Sequence, residues 1–221
     1  MARRISIIFL HGLGDSGDGW ASLPNAFRHR GGAAAWRWAF PSAPPRAVTL
    51  APGHPMPAWF DLDALPVTKR TPDDAPGFAA SAARVHALIA AEEAKGFLAR
   101  DIFLGGFSQG AALALWAGLT YPSALGGVIA LSGWLRAADL AALATPAARA
   151  SRVLLCHGAG DDKVDFERGA AARDALRPLV REVVWREFDG GHEFAQEEAA
   201  WIHAFIEGAP AGAPILHAGS E

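Results

Sequence analysis

Short apolar runs alternate with longer alanine-rich segments along most of the chain, and this alternation restricts the fold more than any other sequence feature. The apolar runs predict buried β-strands at 5–10, 35–40, 101–105, 127–131, 152–156 and 182–188. Helical patterns lie between them at 22–30, 78–94, 109–119, 166–179 and 193–206. We therefore predict an α/β fold with helices on both faces of a mostly parallel central sheet. In such sheets, ligands bind beyond the carboxyl ends of the strands.

Two segments do not follow the alternation. Residues 41–74 are rich in proline and predict a long irregular loop, and long ordered loops are often functional. Residues 209–221 predict a flexible C-terminal tail, which leaves 1–208 as a single domain without a large lid domain. The chain has 221 residues, of which 51% are apolar, so one sizeable core can be buried.

Composition argues against several classes of protein. A net charge of -3 and scattered basic residues give no general attraction to nucleic acid. The single cysteine, Cys156, cannot form an internal disulfide, which fits a reducing compartment. The apolar run at 5–10 is too short for a signal peptide, and no stretch approaches the roughly 20 apolar residues that cross a bilayer. We expect a cytoplasmic protein without stable membrane anchoring.

The strongest chemical signal is the segment Gly-Phe-Ser-Gln-Gly at 106–110, which matches the Gly-x-Ser-x-Gly nucleophile turn. An apolar strand pattern precedes Ser108 and a helical pattern follows it. A serine between these elements lies on a tight turn, with its hydroxyl at the positive end of the following helix. The alternative is an ordinary serine N-cap of that helix. The context favours a nucleophile.

A serine hydroxyl needs a general base, and that base needs a group that fixes its tautomer. In folds with this turn, the chain order is serine, acid, histidine. His192 follows a strand end and a Gly-Gly turn, and we predict it as the base. Of the other histidines after the serine, His157 directly follows a strand, His203 falls in the last helical pattern and His217 lies in the tail.

Three aspartates follow the strand at 152–156, and each is a candidate for the acid. Asp161 comes first, after a glycine-containing turn at 158–160, and we predict it as the acid. Asp162 and Asp165 are alternatives that could instead cap the next helix. Asp189 is less suitable because it lies too near His192 in sequence.

Acyl transfer also needs donors for the oxyanion of the tetrahedral intermediate. One donor is usually the N–H after the nucleophile, here Gln109, and the other comes from an early loop. The glycine-rich segment 11–17 follows the first strand, and Leu13 is its natural donor. A phosphate-binding loop is the competing interpretation, but no Gly-Lys-Ser/Thr sequence follows.

Together these segments resemble the acyl-protein thioesterase, lysophospholipase and carboxylesterase family of α/β hydrolases. The resemblance covers nearly the whole chain and rests on 9–15, 41–44, 56–61, 105–110, 131–135 and 156–158. It implies the α/β-hydrolase fold, a triad of Ser108, Asp161 and His192, and oxyanion donors at Leu13 and Gln109. Family members often carry proline after the acid, where this chain has Asp162 and Asp165.

The resemblance implies hydrolysis of carboxylic esters or thioesters of small molecules or lipids, without a metal or organic cofactor. Lysophospholipase and protein S-acyl thioesterase activities remain open, as do an amide hydrolase and a non-catalytic binding module. The long loop offers an apolar acyl site, or else packs onto the body, through Met56, Trp59, Phe60, Leu62 and Leu65. The chain is expected to be a monomer or a homodimer.

Overall fold

The computed structural model describes residues 4–136 and 142–209. Its strands are β1 (Ser6–Leu10), β2 (Arg37–Ala39), β3 (Pro45–Arg46), β4 (Met56–Pro57), β5 (Ile102–Phe107), β6 (Gly127–Leu131), β7 (Arg152–Gly158) and β8 (Glu182–Phe188). Its helices are α1 (Gly17–Trp20), α2 (Ala75–Ala94), α3 (Gln109–Thr120), α4 (Pro146–Ala150), α5 (Phe166–Leu176) and α6 (Gln196–Ile206).

Six of the strands form one parallel sheet in the order β2-β1-β5-β6-β7-β8. The residues of β1, β6 and β7 are buried throughout because parallel strands are covered on both faces. Alternate side chains of β1 enter different cores: Ile8 packs in the core that contains α2 and α3, and Ile7 in the core that contains α6. This architecture confirms the predicted α/β fold class.

The predicted helix at 22–30 differs from the structure. A short 3₁₀ helix spans Leu23–Phe27 instead, and it has Pro24 in its first turn. Proline is well suited to this position, because the N–H groups of the first turn have no acceptor within the helix, so Pro24 fits the start of either kind of helix. The tighter turn still buries Leu23 and Phe27 against the sheet.

The long loop at 41–74 contains only the short antiparallel pair β3–β4. Near its end, a parallel bridge joins Val67 to Val164. The N–H of Val67 donates to the carbonyl of Lys163 at 2.7 Å, and the N–H of Asp165 donates to the carbonyl of Val67 at 3.2 Å. The long loop is therefore attached to the segment that follows β7.

The predicted tail at 209–221 lies outside the described residues apart from Ala209. Within residues 4–136 and 142–209, every helix is too short or too polar to cross a lipid bilayer.

Candidate active site

Ser108 lies on the turn between β5 and α3 in an unusual backbone conformation, with φ 53° and ψ -118°. Two glycines make this turn possible. A Cβ atom on Gly106 would lie 2.4 Å from the backbone of Gly110, and one on Gly110 would lie 2.3 Å from the carbonyl oxygen of Leu10. The glycines of the motif therefore let α3 approach both its own strand and the end of β1.

His192 and Asp161 form a direct pair. Nδ1 of His192 lies 2.8 Å from Oδ2 of Asp161, and the Asp161 side chain is fully buried. A carboxylate can only accept, so Nδ1 carries the proton and Nε2 is left with a free lone pair. This is the tautomer that a general base requires.

The sheet brings these two residues together although they are 31 positions apart in sequence. They follow the neighbouring parallel strands β7 and β8, in which Gly158 pairs with Phe188. A Cβ atom on Gly158 would lie 2.2 Å from the carbonyl oxygen of Gly191, so only glycine permits the two loops to pack backbone against backbone.

Asp161 is held in its ionised form by its hydrogen bonds. Burial acts to raise the pKa of its carboxyl group, but bonds from His157, His192 and two backbone N–H groups outweigh burial and keep the pKa well below its usual range. Oδ1 accepts from the N–H groups of Lys163 at 2.9 Å and Val164 at 2.8 Å. The carboxylate is therefore both charged and fixed in orientation.

The competing acid candidates do not contact His192 in the structure. Asp162 has a side chain that is 70% exposed and pairs with Nζ of Lys163 at 3.0 Å. Asp165 is the N-cap residue of α5, although its side chain makes no capping hydrogen bond. Asp189 is exposed at the end of β8. Among the described aspartates, the pairing with His192 belongs to Asp161.

The other histidine candidates have different surroundings. His157 is buried, with Nε2 3.0 Å from the carbonyl oxygen of Val164 and 3.3 Å from Oδ2 of Asp161. His203 lies on α6 and contacts the carbonyl oxygen of Gly31 at 2.8 Å. His217 lies outside the described residues.

The two predicted oxyanion donors lie near Ser108 on different segments. Gln109 begins α3, where backbone N–H groups have no acceptor within the helix. Leu13 follows Gly12, and a Cβ atom added to Gly12 would lie 3.5 Å from Cβ of Ser108. Within the described part of the chain, neither the N–H of Leu13 nor that of Gln109 donates to a protein acceptor.

A cavity of about 310 Å³ joins these groups. Ser108, His192, Leu13 and Gln109 line it, and so does Leu65 from the long loop. Sequence reasoning missed several further lining residues, namely Asp15, Trp20, Val67, Phe107, Trp134 and Lys163. Asp15, Trp134 and Lys163 each follow the end of a sheet strand, and that position was the available signal.

Three residues expected to line an acyl site do not line this cavity. Trp59 and Phe60 are buried in the core beneath it, and Phe60 stacks on Phe78 with ring centroids 3.9 Å apart. Met56 lies in β4, with its sulfur near Gly14. For Trp59 and Phe60, the positions fit the alternative in which the long loop packs onto the body.

No group of three or more histidine, cysteine, aspartate or glutamate side chains suited to a metal ion occurs within residues 4–136 and 142–209.

A parallel sheet with a serine at a strand-to-helix turn, in one cavity with a histidine bonded to an aspartate, defines the class of serine hydrolases with the α/β-hydrolase fold. The family model described as phospholipase/carboxylesterase matches residues 2–209. The chain belongs to this family, as its sequence motifs predict.

Two relatives with similar sequences match this chain over most of their own length. Acyl-protein thioesterase 1 of Gibberella zeae is 37% identical over 208 residues, covering 91% of this chain and 88% of that protein. Carboxylesterase SOBER1 of Arabidopsis thaliana is 35% identical over 206 residues, covering 92% of this chain and 90% of that protein. The crystal structure of SOBER1 superposes with a TM-score of 0.87 at 34% identity, covering 92% of this chain and 98% of that chain. The α/β-hydrolase fold is thereby confirmed.

Proposed function

We propose that this chain is a serine carboxylesterase that hydrolyses carboxylic esters or thioesters, with Ser108 as the nucleophile. One observation carries the proposal: Ser108 shares a cavity with His192, and Nδ1 of His192 is bonded to the buried carboxylate of Asp161. Family membership and the names of the relatives, carboxylesterase and acyl-protein thioesterase, support the same reaction class.

The proposed reaction begins with attack of the Ser108 hydroxyl on the acyl carbonyl carbon. Nε2 of His192 accepts the hydroxyl proton, while Asp161 holds the imidazole and stabilises its positive charge. The N–H groups of Leu13 and Gln109 bind the oxyanion of the tetrahedral intermediate. The intermediate expels the alcohol or thiol, which takes the proton from His192, and leaves an acyl-enzyme.

Water completes the cycle. His192 removes a proton from the water molecule as it attacks the acyl-enzyme, and the same two N–H groups stabilise the second oxyanion. The carboxylic acid then leaves and Ser108 regains its proton. Protein groups supply every proton transfer in this scheme, so it requires no metal or organic cofactor.

The walls of the cavity suit an apolar acyl group. Leu13, Leu62, Leu65, Val67 and Trp134 contribute apolar side chains. Apolar walls with a few convergent polar groups are typical of sites for small organic ligands. An ester and a thioester present the same acyl part to such a site, so these walls do not discriminate between the two kinds of substrate.

Protein S-acyl thioesterase is the second candidate, and lysophospholipase the third. The identity of 37% to an acyl-protein thioesterase supports the second. Membership of the phospholipase/carboxylesterase family supports the third. Both use the chemistry proposed above and differ in the leaving group.

Two measurements test the proposal. A fluorophosphonate probe should label the wild-type protein and should not label Ser108→Ala. Turnover of p-nitrophenyl esters of rising chain length, an acyl thioester and a lysophospholipid then identifies the substrate class. Absence of both labelling and turnover in the folded wild type, or equal labelling of Ser108→Ala, would contradict the proposal.

A further inference from the structure

Trp59 is buried, with 1% of its surface exposed, yet each of its polar groups has a hydrogen-bond partner. Two of its bonds reach the two separate segments that carry the proposed oxyanion donors. One partner is the Gln109 side chain, and the other is the backbone of His11, two residues before Leu13.

The first bond leads to the nucleophile turn. Oε1 of Gln109 accepts from the N–H of Trp59 at 2.9 Å, and Nε2 of Gln109 donates to the carbonyl of Phe60 at 2.8 Å. The Gln109 side chain is buried, and this pair of bonds uses both ends of its amide. The first residue of α3 is thus bound to the loop at 59–60.

The second bond leads to the loop after β1. Nε1 of Trp59 donates to the carbonyl of His11 at 2.9 Å, and the two rings lie 5.1 Å apart. The His11 ring is also held, because Nε2 accepts from the N–H of Ala43 at 2.9 Å and Nδ1 donates to the carbonyl of Gly12 at 2.6 Å. These bonds fix the backbone that leads into Leu13.

A third contact anchors Trp59 to the body of the protein. Its carbonyl oxygen accepts from Nη1 of Arg46 at 3.2 Å and from the hydroxyl of Ser81 on α2. Trp59 is therefore a rigid connection, because it is held by α2, by the nucleophile turn and by the loop after β1.

We propose that Trp59 is a positioning residue that sets the separation of the two oxyanion donors, Leu13 and Gln109. This inference rests on the proposed function. Oxyanion stabilisation depends on donors that are held in place before the reaction, and a misplacement of about 1 Å can cost about 100-fold in rate. One buried hydrogen bond of Trp59 holds the side chain of Gln109, and another holds the carbonyl of His11, two residues before Leu13.

This role makes a kinetic prediction that an acyl-binding role does not make. A residue that acts on the oxyanion affects the transition state more than the bound substrate, so its loss lowers kcat with little change in KM. A residue that contacts the acyl group affects the binding of substrate and transition state together, so its loss raises KM.

The test removes the indole N–H without changing the shape of the side chain. Replacement of Trp59 by β-(3-benzothienyl)alanine exchanges the N–H for sulfur and keeps the fused ring. Trp59→Phe is genetically encoded and also removes the N–H, but its ring is smaller. We expect kcat for a p-nitrophenyl ester to fall by about 10-fold to 100-fold in the benzothienyl variant, with KM nearly unchanged. Inhibition by a trifluoromethyl ketone, which forms a tetrahedral adduct, should weaken by a similar factor.

Trp36→Phe is the matched control. Trp36 is also buried and packed among aromatic rings, but it does not line the cavity, and its indole nitrogen has no hydrogen bond within the described part of the chain. We expect this variant to keep the wild-type kcat. Thermal unfolding of each variant reports whether the fold is retained.

The outcomes separate this inference from the proposed function. Absence of turnover and of fluorophosphonate labelling in the wild type would contradict the proposed function itself. An active wild type with unchanged kcat in the folded benzothienyl variant would contradict the positioning role alone. A rise in KM at constant kcat would instead assign Trp59 to substrate binding and would equally overturn the inference.

Discussion

Nε2 of His157 lies 3.3 Å from Oδ2 of Asp161, the carboxylate oxygen that also accepts from His192. The same nitrogen lies 3.0 Å from the carbonyl oxygen of Val164. Because both neighbours are acceptors, Nε2 carries the proton and donates to both. His157 therefore connects the end of β7 to the loop that holds the carboxylate, on the buried side of the pair with His192.

Replacement of His157 tests this connection. His157→Leu leaves a buried carbonyl without its donor, so we expect the free energy of unfolding to fall by about 1–3 kcal/mol. Turnover should fall less than in a variant of Asp161, because the carboxylate keeps its bond to His192. His157→Gln is the control, since its amide can donate from near the position of Nε2. Urea unfolding measures the effect, and equal stability of His157→Leu and wild type would contradict it.

Asp161→Asn is expected to lower kcat/KM by about 10³–10⁴-fold, because an amide cannot hold the proton on Nδ1 of His192 as a carboxylate does. Asp162→Asn changes an exposed neighbour and should leave ester turnover close to the wild-type value. Steady-state kinetics of the two purified variants makes the comparison. A large loss in Asp162→Asn with none in Asp161→Asn would reverse the assignment of the acid.

Ser108→Gly is expected to unfold at higher denaturant concentration than Ser108→Ala. Both variants lack the hydroxyl, but alanine keeps the strained backbone at φ 53° while glycine adopts it freely. Such strain costs about 1–3 kcal/mol, and the greater freedom of unfolded glycine offsets about 0.5–1 kcal/mol of the gain. Urea unfolding of the two variants should differ by about 1 kcal/mol, and a more stable alanine variant would argue against backbone strain at the turn.

The sheet could be predicted closely because local sequence determines where its strands lie. The bounds predicted for β6 and β8, 127–131 and 182–188, coincide with the observed strands. Both runs are rich in branched or aromatic side chains, which favour extended backbone. The short 3₁₀ helix at Leu23–Phe27 was not predicted, because an amphipathic pattern does not reveal how far a helix continues.

The site was less accessible to sequence reasoning, because its geometry depends on contacts between distant segments. Neighbouring positions did not separate Asp161 from Asp162 decisively, whereas the structure turns one toward His192 and the other to solvent. The loop at 41–74 has no periodic pattern, so nothing in its sequence tells which apolar side chains face the cavity. Leu65 faces it, and Trp59 faces the core.

Glu198 on α6 is expected to make stability depend on pH. Burial raises the pKa of its carboxyl group to about 8, and the nearby charges of Glu197 and Glu193 add to this, while the bond from the N–H of Ala195 opposes it. The folded protein therefore binds a proton that the unfolded chain has released, between the ordinary pKa of 4.5 and about 8. Through this group, stability must fall as the pH rises across that window.

Glu198→Gln should remove this decline. The amide keeps an oxygen that can accept from the N–H of Ala195 but has no proton to lose. We expect the variant to match the wild type near pH 4.5 and to exceed its free energy of unfolding above pH 8, by on the order of a few kcal/mol. Urea unfolding at pH 5 and pH 9 measures the difference. If wild type and variant lose stability equally between these values, Glu198 is ionised in the folded protein and the expectation is wrong.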